Sequence, residues 1–340
     1  MAPEARANPV IGLDLMGGDK APQCNIEGCL VALKRGVSVV AYGSQEAVEG
    51  LGSKGSFDNL RTEVCTETIS FAEAPLEAIR DKPDSTARRG IEAVKQGTTG
   101  AFVSAGSTGA LVAGGVVILG RARGIDKPCL AMVLPSENPR GVLALDLGAS
   151  ADARPQALVQ FAVMGDAYAR NVLGWQDPSV CLLNIGTEPE KGSMAARKAY
   201  SLLKEAPVNF QGNIEARDVF LCKADIVVTD GFTGNIFIKA CEGTAAFQLD
   251  VIRSELSFGL ARKAAALTLK PAFRRVRELL DYSAYGGAPL LGLEGCIVKC
   301  HGASGAEAIA NGIEQARRFL VNDVSRIIGD ALAKMSTEGE

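Results

Sequence analysis

Short runs of apolar, largely β-branched residues recur along the chain, each closing on glycine or an acidic residue, with apolar positions at helical spacing after several of them. Val10 to Leu15 runs into Met16-Gly17-Gly18-Asp19, and Ile26 to Arg35 then reads as a helix. Val37 to Tyr42 stops at Gly43, and Gly100 to Ser104 meets Ala105-Gly106-Ser107-Thr108-Gly109 before an apolar helix from Ala110 onward. Gly141 to Leu147 ends at Gly148-Ala149-Ser150, Val180 to Ile185 at Gly186, and Ile226 to Thr229 at Asp230-Gly231-Phe232-Thr233-Gly234-Asn235. Strands this continuously hydrophobic belong to sheets covered on both faces. The alternation predicts an α/β fold, a three-layer α/β/α sandwich. In open sheets of that kind ligands gather beyond the carboxyl ends of the strands, where these glycine corners lie.

The stretch from about Phe247 to Asp281 departs from the pattern. Leu260, Ala264 and Leu267 share one helical face, Pro271 suits the first turn of a second helix, and Phe273, Val276 and Leu280 mark that helix's apolar stripe. Arg262, Lys263, Lys270, Arg274, Arg275 and Arg277 outnumber nearby Glu278 and Asp281, so a basic amphipathic helical pair projects from the sheet domain. It could be a plain solvated helix, a membrane-surface contact or a contact for an acidic protein. The expected layout is a frayed tail over residues 1–9 and one catalytic domain over residues 10–335, with a helical insertion at about 247–281.

Composition narrows the partners. Apolar residues make up 47% of the chain, ample for a core, while the charged 22% nearly cancel to a net −3, so nothing global favours nucleic acid. No run of about 18 apolar residues occurs, and Met1 to Pro9 lacks the layout of a signal peptide. Nine cysteines without a Cys-x-x-Cys pair suit reduced, buried thiols in a cytosolic protein. Cys296, Cys300 and His301 do not read as a metal site, because strand alternation turns the imidazole away from both sulfurs.

His301 is the only histidine, in Cys296-Ile297-Val298-Lys299-Cys300-His301-Gly302-Ala303-Ser304-Gly305. On a strand, Lys299 and His301 leave the same face, a cation beside a group that titrates near neutrality. Nucleotide-binding glycine loops are absent, and Gly302 to Ala306 only approaches a serine nucleophile elbow. What remains are corners able to offer main-chain donors to an oxyanion: Gly17, Gly18 and Asp19; Gly106, Ser107, Thr108 and Gly109; Gly186; Gly302 and Ser304. Lys20, Arg154, Lys191 and Lys299 could add charge.

Asp14-Leu15-Met16-Gly17-Gly18-Asp19-Lys20-Ala21-Pro22, Val103 to Leu111, Leu182 to Gly186, Asp230 to Asn235 and Asp281-Tyr282-Ser283-Ala284-Tyr285-Gly286-Gly287-Ala288-Pro289-Leu290-Leu291-Gly292 follow one another in order. Together they resemble the PlsX family of bacterial phosphate acyltransferases, over about Val10 to Asn322. The resemblance implies transfer of a fatty acyl group from acyl carrier protein to inorganic phosphate, the first step toward phosphatidic acid, with no cofactor. It implies a homodimer related in fold to isocitrate and isopropylmalate dehydrogenases and to phosphotransacetylases. It further implies a cytoplasmic protein loosely attached to the inner membrane face, its product passing to an acyl-phosphate:glycerol-3-phosphate acyltransferase.

Under that resemblance phosphate sits at Gly17-Gly18 and at Gly106 to Gly109, with Lys191 or Lys299 countering its charge. His301 protonates the departing thiolate or hydrogen-bonds phosphate. Asp230 and Asn235 shape the site, or equally serve as turn and cap residues. Lys263, Leu267, Leu269, Lys270, Arg274, Arg275 and Arg277 meet lipid or the carrier protein, and the acyl chain needs an apolar groove that the sequence does not locate. Lys20, Ser107, Ser150, Ser193 and Gly305 depart from the usual family residues. The rivals are a coenzyme-A-dependent phosphate acetyltransferase, a nicotinamide-dependent hydroxyacid dehydrogenase and a catalytically idle membrane scaffold.

Overall fold

The computed structural model, which describes residues 8–280 and 286–337, divides the predicted strands between two sheets. In chain order the strands are β1 (Val10–Asp14), β2 (Ser38–Gly43), β3 (Leu60–Val64), β4 (Ala101–Ser104), β5 (Cys129–Leu130), β6 (Met132–Leu134), β7 (Val142–Leu145), β8 (Ser179–Asn184), β9 (Asn209–Glu215), β10 (Ile226–Val228), β11 (Ala288–Leu291) and β12 (Cys296–Lys299). The α-helices are α1 (Gln23–Lys34), α2 (Gln45–Gly52), α3 (Pro75–Asp81), α4 (Thr86–Lys95), α5 (Thr108–Gly114), α6 (Pro155–Asn171), α7 (Met194–Leu203), α8 (Gly231–Leu256), α9 (Leu260–Leu280), α10 (Ala306–Val321) and α11 (Val324–Thr337).

One sheet has the order β3-β2-β1-β4-β12-β11-β5, the other β6-β7-β10-β8-β9. The strands β1 to β4 and β12 run parallel, as do β7 to β10 in the second sheet. Their carboxyl ends therefore share one edge in each sheet. Antiparallel β11 and β6 flank those blocks near the seam. Ala131 alone separates β5 from β6, so the chain crosses between sheets within one residue. Leu147 N–H donates to the Leu130 carbonyl at 3.2 Å across that crossing. Helix α6 is buried nearly all round, which suits its apolar sequence and its packing against β7, β10, α7 and α11. The buried strands β1, β4, β7, β10 and β12 carry the apolar runs that the sequence announces.

The helical pair is divided differently from the sequence expectation. Its first arm, α8, starts at Gly231, and its second, α9, is one helix running through Pro271. Proline was expected in a first turn because it removes a main-chain donor and crowds the preceding turn. α9 packs against α8, and Phe247, Phe258 and Leu267 stand exposed on the pair. Met1 to Ala7 of the expected tail, and Asp281 to Tyr285 of the last family-like segment, lie outside the described residues.

Candidate functional site

β1, β4 and β12 are adjacent and parallel, so the corners after them converge. Asp14 ends β1 almost wholly buried. Its Oδ1 accepts from the N–H groups of Met16 (2.9 Å) and Gly17 (3.1 Å), and its Oδ2 accepts from Ser104 Oγ at 2.7 Å. Ser104 Oγ in turn accepts from Gly106 N–H at 2.9 Å. Burial raises the Asp14 pKa, against these hydrogen bonds and one from Thr86, which favour the carboxylate. A Cβ at Gly17 would lie 2.6 Å from both Asp14 Oδ2 and Gly106 N, so only glycine lets the first two corners meet. The third corner is tied in by Asp19 N–H, which donates to the Gly302 carbonyl at 2.8 Å, and by Lys20 Nζ, which donates to the Ala303 carbonyl at 2.7 Å.

The N–H groups of Gly17, Asp19 and Gly106, expected to face phosphate, are thus engaged inside the protein. Ser107 is likewise occupied, its Oγ accepting from Ala110 N–H at the start of α5. These residues, with Gly18, Thr108 and Gly109, give the corners their shape.

Beside them lies a small cavity that Lys299, His301 and Ser304 line with Met132, Gly286 and Ala308. β12 ends at Lys299, one residue earlier than expected, yet Lys299 and His301 still face the same space. Lys299 is 9% exposed. Its ammonium donates to the main-chain carbonyls of Ala105 and Cys300, and among the described residues no carboxylate is ion-paired with it. Burial lowers its pKa to about 8. Ser304 is 6% exposed, and among the described residues its hydroxyl has no hydrogen-bond partner. It immediately precedes Gly305, the N-cap of α10, which offers no side chain to that helix's first N–H groups. A buried cation, an unpartnered hydroxyl and the positive end of a 16-residue helix are what an oxyanion requires.

His301 Nδ1 accepts from Ala303 N–H at 3.2 Å, which puts the neutral ring's proton on Nε2. That nitrogen faces two residues of α8: Lys239 Nζ at 3.4 Å and a Glu242 carboxylate oxygen at 3.9 Å. Lys239 and Glu242 pair at 2.8 Å. Burial lowers the His301 pKa, with Glu242 pulling it upward.

Asp230 and Asn235 begin α8 on the other sheet. Asp230 is its N-cap, Oδ1 accepting from Thr233 N–H at 2.8 Å and Oδ2 from Thr233 Oγ1 at 2.7 Å. Asn235 lies against Gly148. Lys191 is exposed in the loop after β8, its stem beside Gly186. None of the three has a hydrogen bond or ion pair with the Lys299 cavity. Lys263, Leu267, Leu269, Lys270, Arg274 and Arg275 are exposed or half-exposed on α9, and the side chain of Arg277 lies outside what the structure describes.

Asp14, Ser104, Lys239 and Glu242 were missed by reading the sequence. An aspartate closing a hydrophobic strand just before Gly-Gly was the one available signal for Asp14. Nothing local marks Ser104, 90 positions away, or the two α8 residues, 62 or fewer positions before His301. Among the described residues no helix is long and apolar enough to cross a membrane, and no three metal-ligating side chains gather.

The family model for a fatty acid synthesis protein matches residues 10–327. The chain is 41% identical to a phosphate acyltransferase of Alkaliphilus oremlandii over 96% of its length and 98% of the relative's. It is 43% identical to one of Lysinibacillus sphaericus over 95% and 98% of the two chains. Among solved structures, a phosphotransacetylase from Streptococcus pyogenes shares the fold at a TM-score of 0.60 and 17% identity, covering 96% of this chain and all of that one, 100%. A branched-chain phosphotransacylase from Enterococcus faecalis covers 91% of this chain and 98% of its own, at a TM-score of 0.54 and 14% identity.

Proposed function

From the premise that the chain belongs to the fatty acid synthesis protein family and is a phosphate acyltransferase, we propose that it moves a fatty acyl group from acyl carrier protein to inorganic phosphate held by Lys299, Ser304 and the start of α10. A phosphate oxygen adds to the thioester carbonyl carbon, and the carbonyl oxygen takes up the negative charge. The carbon–sulfur bond then breaks, leaving acyl phosphate and a carrier thiolate that takes a proton from solvent. No residue is acylated, because phosphate is itself the nucleophile. Catalysis is then a matter of orientation and of donors fixed where charge develops. His301, held at Nδ1 by Ala303 N–H, lines the same cavity as the Lys299 ammonium. The joined corners around Asp14 and Ser104 hold the cavity's wall rigid.

The carrying observation is Lys299: a buried ammonium met, among the described residues, only by main-chain carbonyls, facing the cavity where the Ser304 hydroxyl has no partner among those residues. A buried charge of this kind is costly unless an anion joins it. The reading is tested by incubating purified protein with acyl carrier thioester and phosphate, with no nucleotide or metal added, and trapping acyl phosphate as its hydroxamate. Equal amounts of acyl phosphate and free carrier thiol are expected. Absence of product, or an acyl adduct on the polypeptide that turns over, would contradict it.

The α8–α9 pair supports attachment to an anionic lipid surface. Lys263, Leu267, Lys270 and Arg274 succeed one another at helical spacing on one face of α9, and Phe247 and Phe258 are exposed nearby. Charge reversal at Arg274, Arg275 and Arg277 should lower sedimentation with anionic vesicles. Weaker carrier-protein binding with unchanged sedimentation would assign the pair to the carrier.

A further inference from the structure

The cavity at Lys299 shares part of its wall with another. Met132 and Gly286, which line it, also line a second and larger cavity of about 360 Å³ along the seam between the two sheets. That volume falls within the roughly 300–1,000 Å³ typical of clefts that enclose small ligands. Its walls include Val133 and Leu143 from β6 and β7, Val172, Leu173 and Trp175 after α6, and Pro289 from β11. Polar side chains also border it, each with a partner. Gln315 donates to the Tyr168 hydroxyl, Arg140 pairs with Asp225 and lies 5.0 Å over the Trp175 ring, and Arg318 reaches Glu314 at 3.3 Å. The larger cavity therefore has an apolar wall of Val133, Leu143, Val172, Leu173, Trp175 and Pro289, with Arg140, Gln315 and Arg318 at its border.

We propose that this seam cavity holds the acyl chain of the substrate, with the thioester at the Met132–Gly286 throat beside Lys299 and His301 and the chain end directed toward Trp175. The inference rests on the phosphate acyltransferase reading and adds the site of the lipid part. Two features favour a chain over a compact ligand. The cavity shares Met132 and Gly286 with the place where the carbonyl must sit, and most of its wall side chains are apolar or aromatic. Substrate length is then measured by distance from Met132 to the far wall.

The test is the ratio of kcat/KM for hexadecanoyl to octanoyl carrier thioester, a quantity internal to each preparation. Val172→Phe, which takes up space at the cavity wall, should lower that ratio at least about tenfold, and Leu173→Ala should raise it. An unchanged ratio in both variants, or an equal fall with both donors, would overturn the proposal. Trp175 is the only tryptophan of the chain, so a second readout is direct. A hexadecanoyl chain brominated midway should quench the parent's tryptophan emission, and emission unaffected at saturation would equally overturn it. If the parent makes acyl phosphate from neither donor, the underlying reading fails, and the proposal fails with it.

Discussion

Two corners of the molecule use the same device to different ends. At the end of β7, Asp146 is fully buried at 0% exposure and accepts from the N–H groups of Leu130, Gly148, Ala149 and Ser150 and from Ser150 Oγ, all at 2.8–3.1 Å. The first turn of α8 then closes over it, so tightly that a Cβ at Gly234 would overlap the Asp146 carbonyl oxygen. At the end of β1, Asp14 likewise gathers the following N–H groups and a serine hydroxyl, with α4 and α5 lining the small space beside it. Across the neighbouring strand end, Lys299 and Ser304 border a cavity of their own. A strand-end aspartate that saturates its corner is architecture. One that leaves a cation and a hydroxyl beside it without anionic partners makes a binding site.

That contrast breaks most sharply at Asp146. Asp146→Ala should cost about 3–5 kcal/mol in denaturant unfolding, because five donors, three of them buried, lose their acceptor. Asp14→Ala should cost less, and an equal cost at both corners would erase the distinction. Lys299→Met should do the reverse, raising KM for phosphate about 10- to 100-fold while leaving thermal stability unchanged or higher. The parent's KM for phosphate should also climb as pH rises through about 8, where Lys299 loses its proton. Between about 8 and the ordinary lysine value of 10.5 the unfolded chain holds a proton that the folded chain lacks. This residue's contribution to stability therefore rises with pH across that window while phosphate affinity falls. A flat KM from pH 7 to 9.5 would remove Lys299 from the site. The smallest effect belongs to Ser304→Ala, about fivefold in the same KM, with stability within about 0.5 kcal/mol of the parent. A stability loss without a KM change would make Ser304 part of the packing.

Much of this arrangement was legible because hydrophobic runs and glycine corners are local signals. β1, β4, β7, β8, β10 and β12 lie within the expected runs or a residue of them, and Lys299 and His301 face one cavity as alternation requires. What escaped is non-local. The split into two sheets depends on pairing register, and the Ala131 crossing is a single residue with no composition of its own. Glycine was read as presenting its N–H groups to phosphate, whereas Gly17 and Gly106 spend theirs on Asp14 and Ser104. Lys191 was grouped with Lys299 by charge alone, though they belong to different sheets. Asp230 showed the opposite ambiguity, and its capping of α8 follows one of the two readings its motif allowed.

The most direct measurement is titration of inorganic phosphate into the protein without acyl donor, followed by phosphorus NMR, for the parent and for Lys299→Met. The parent should show saturable binding that weakens as pH passes about 8, and the variant should bind at least about tenfold more weakly. Equal affinity in the two proteins would contradict a phosphate site built on Lys299.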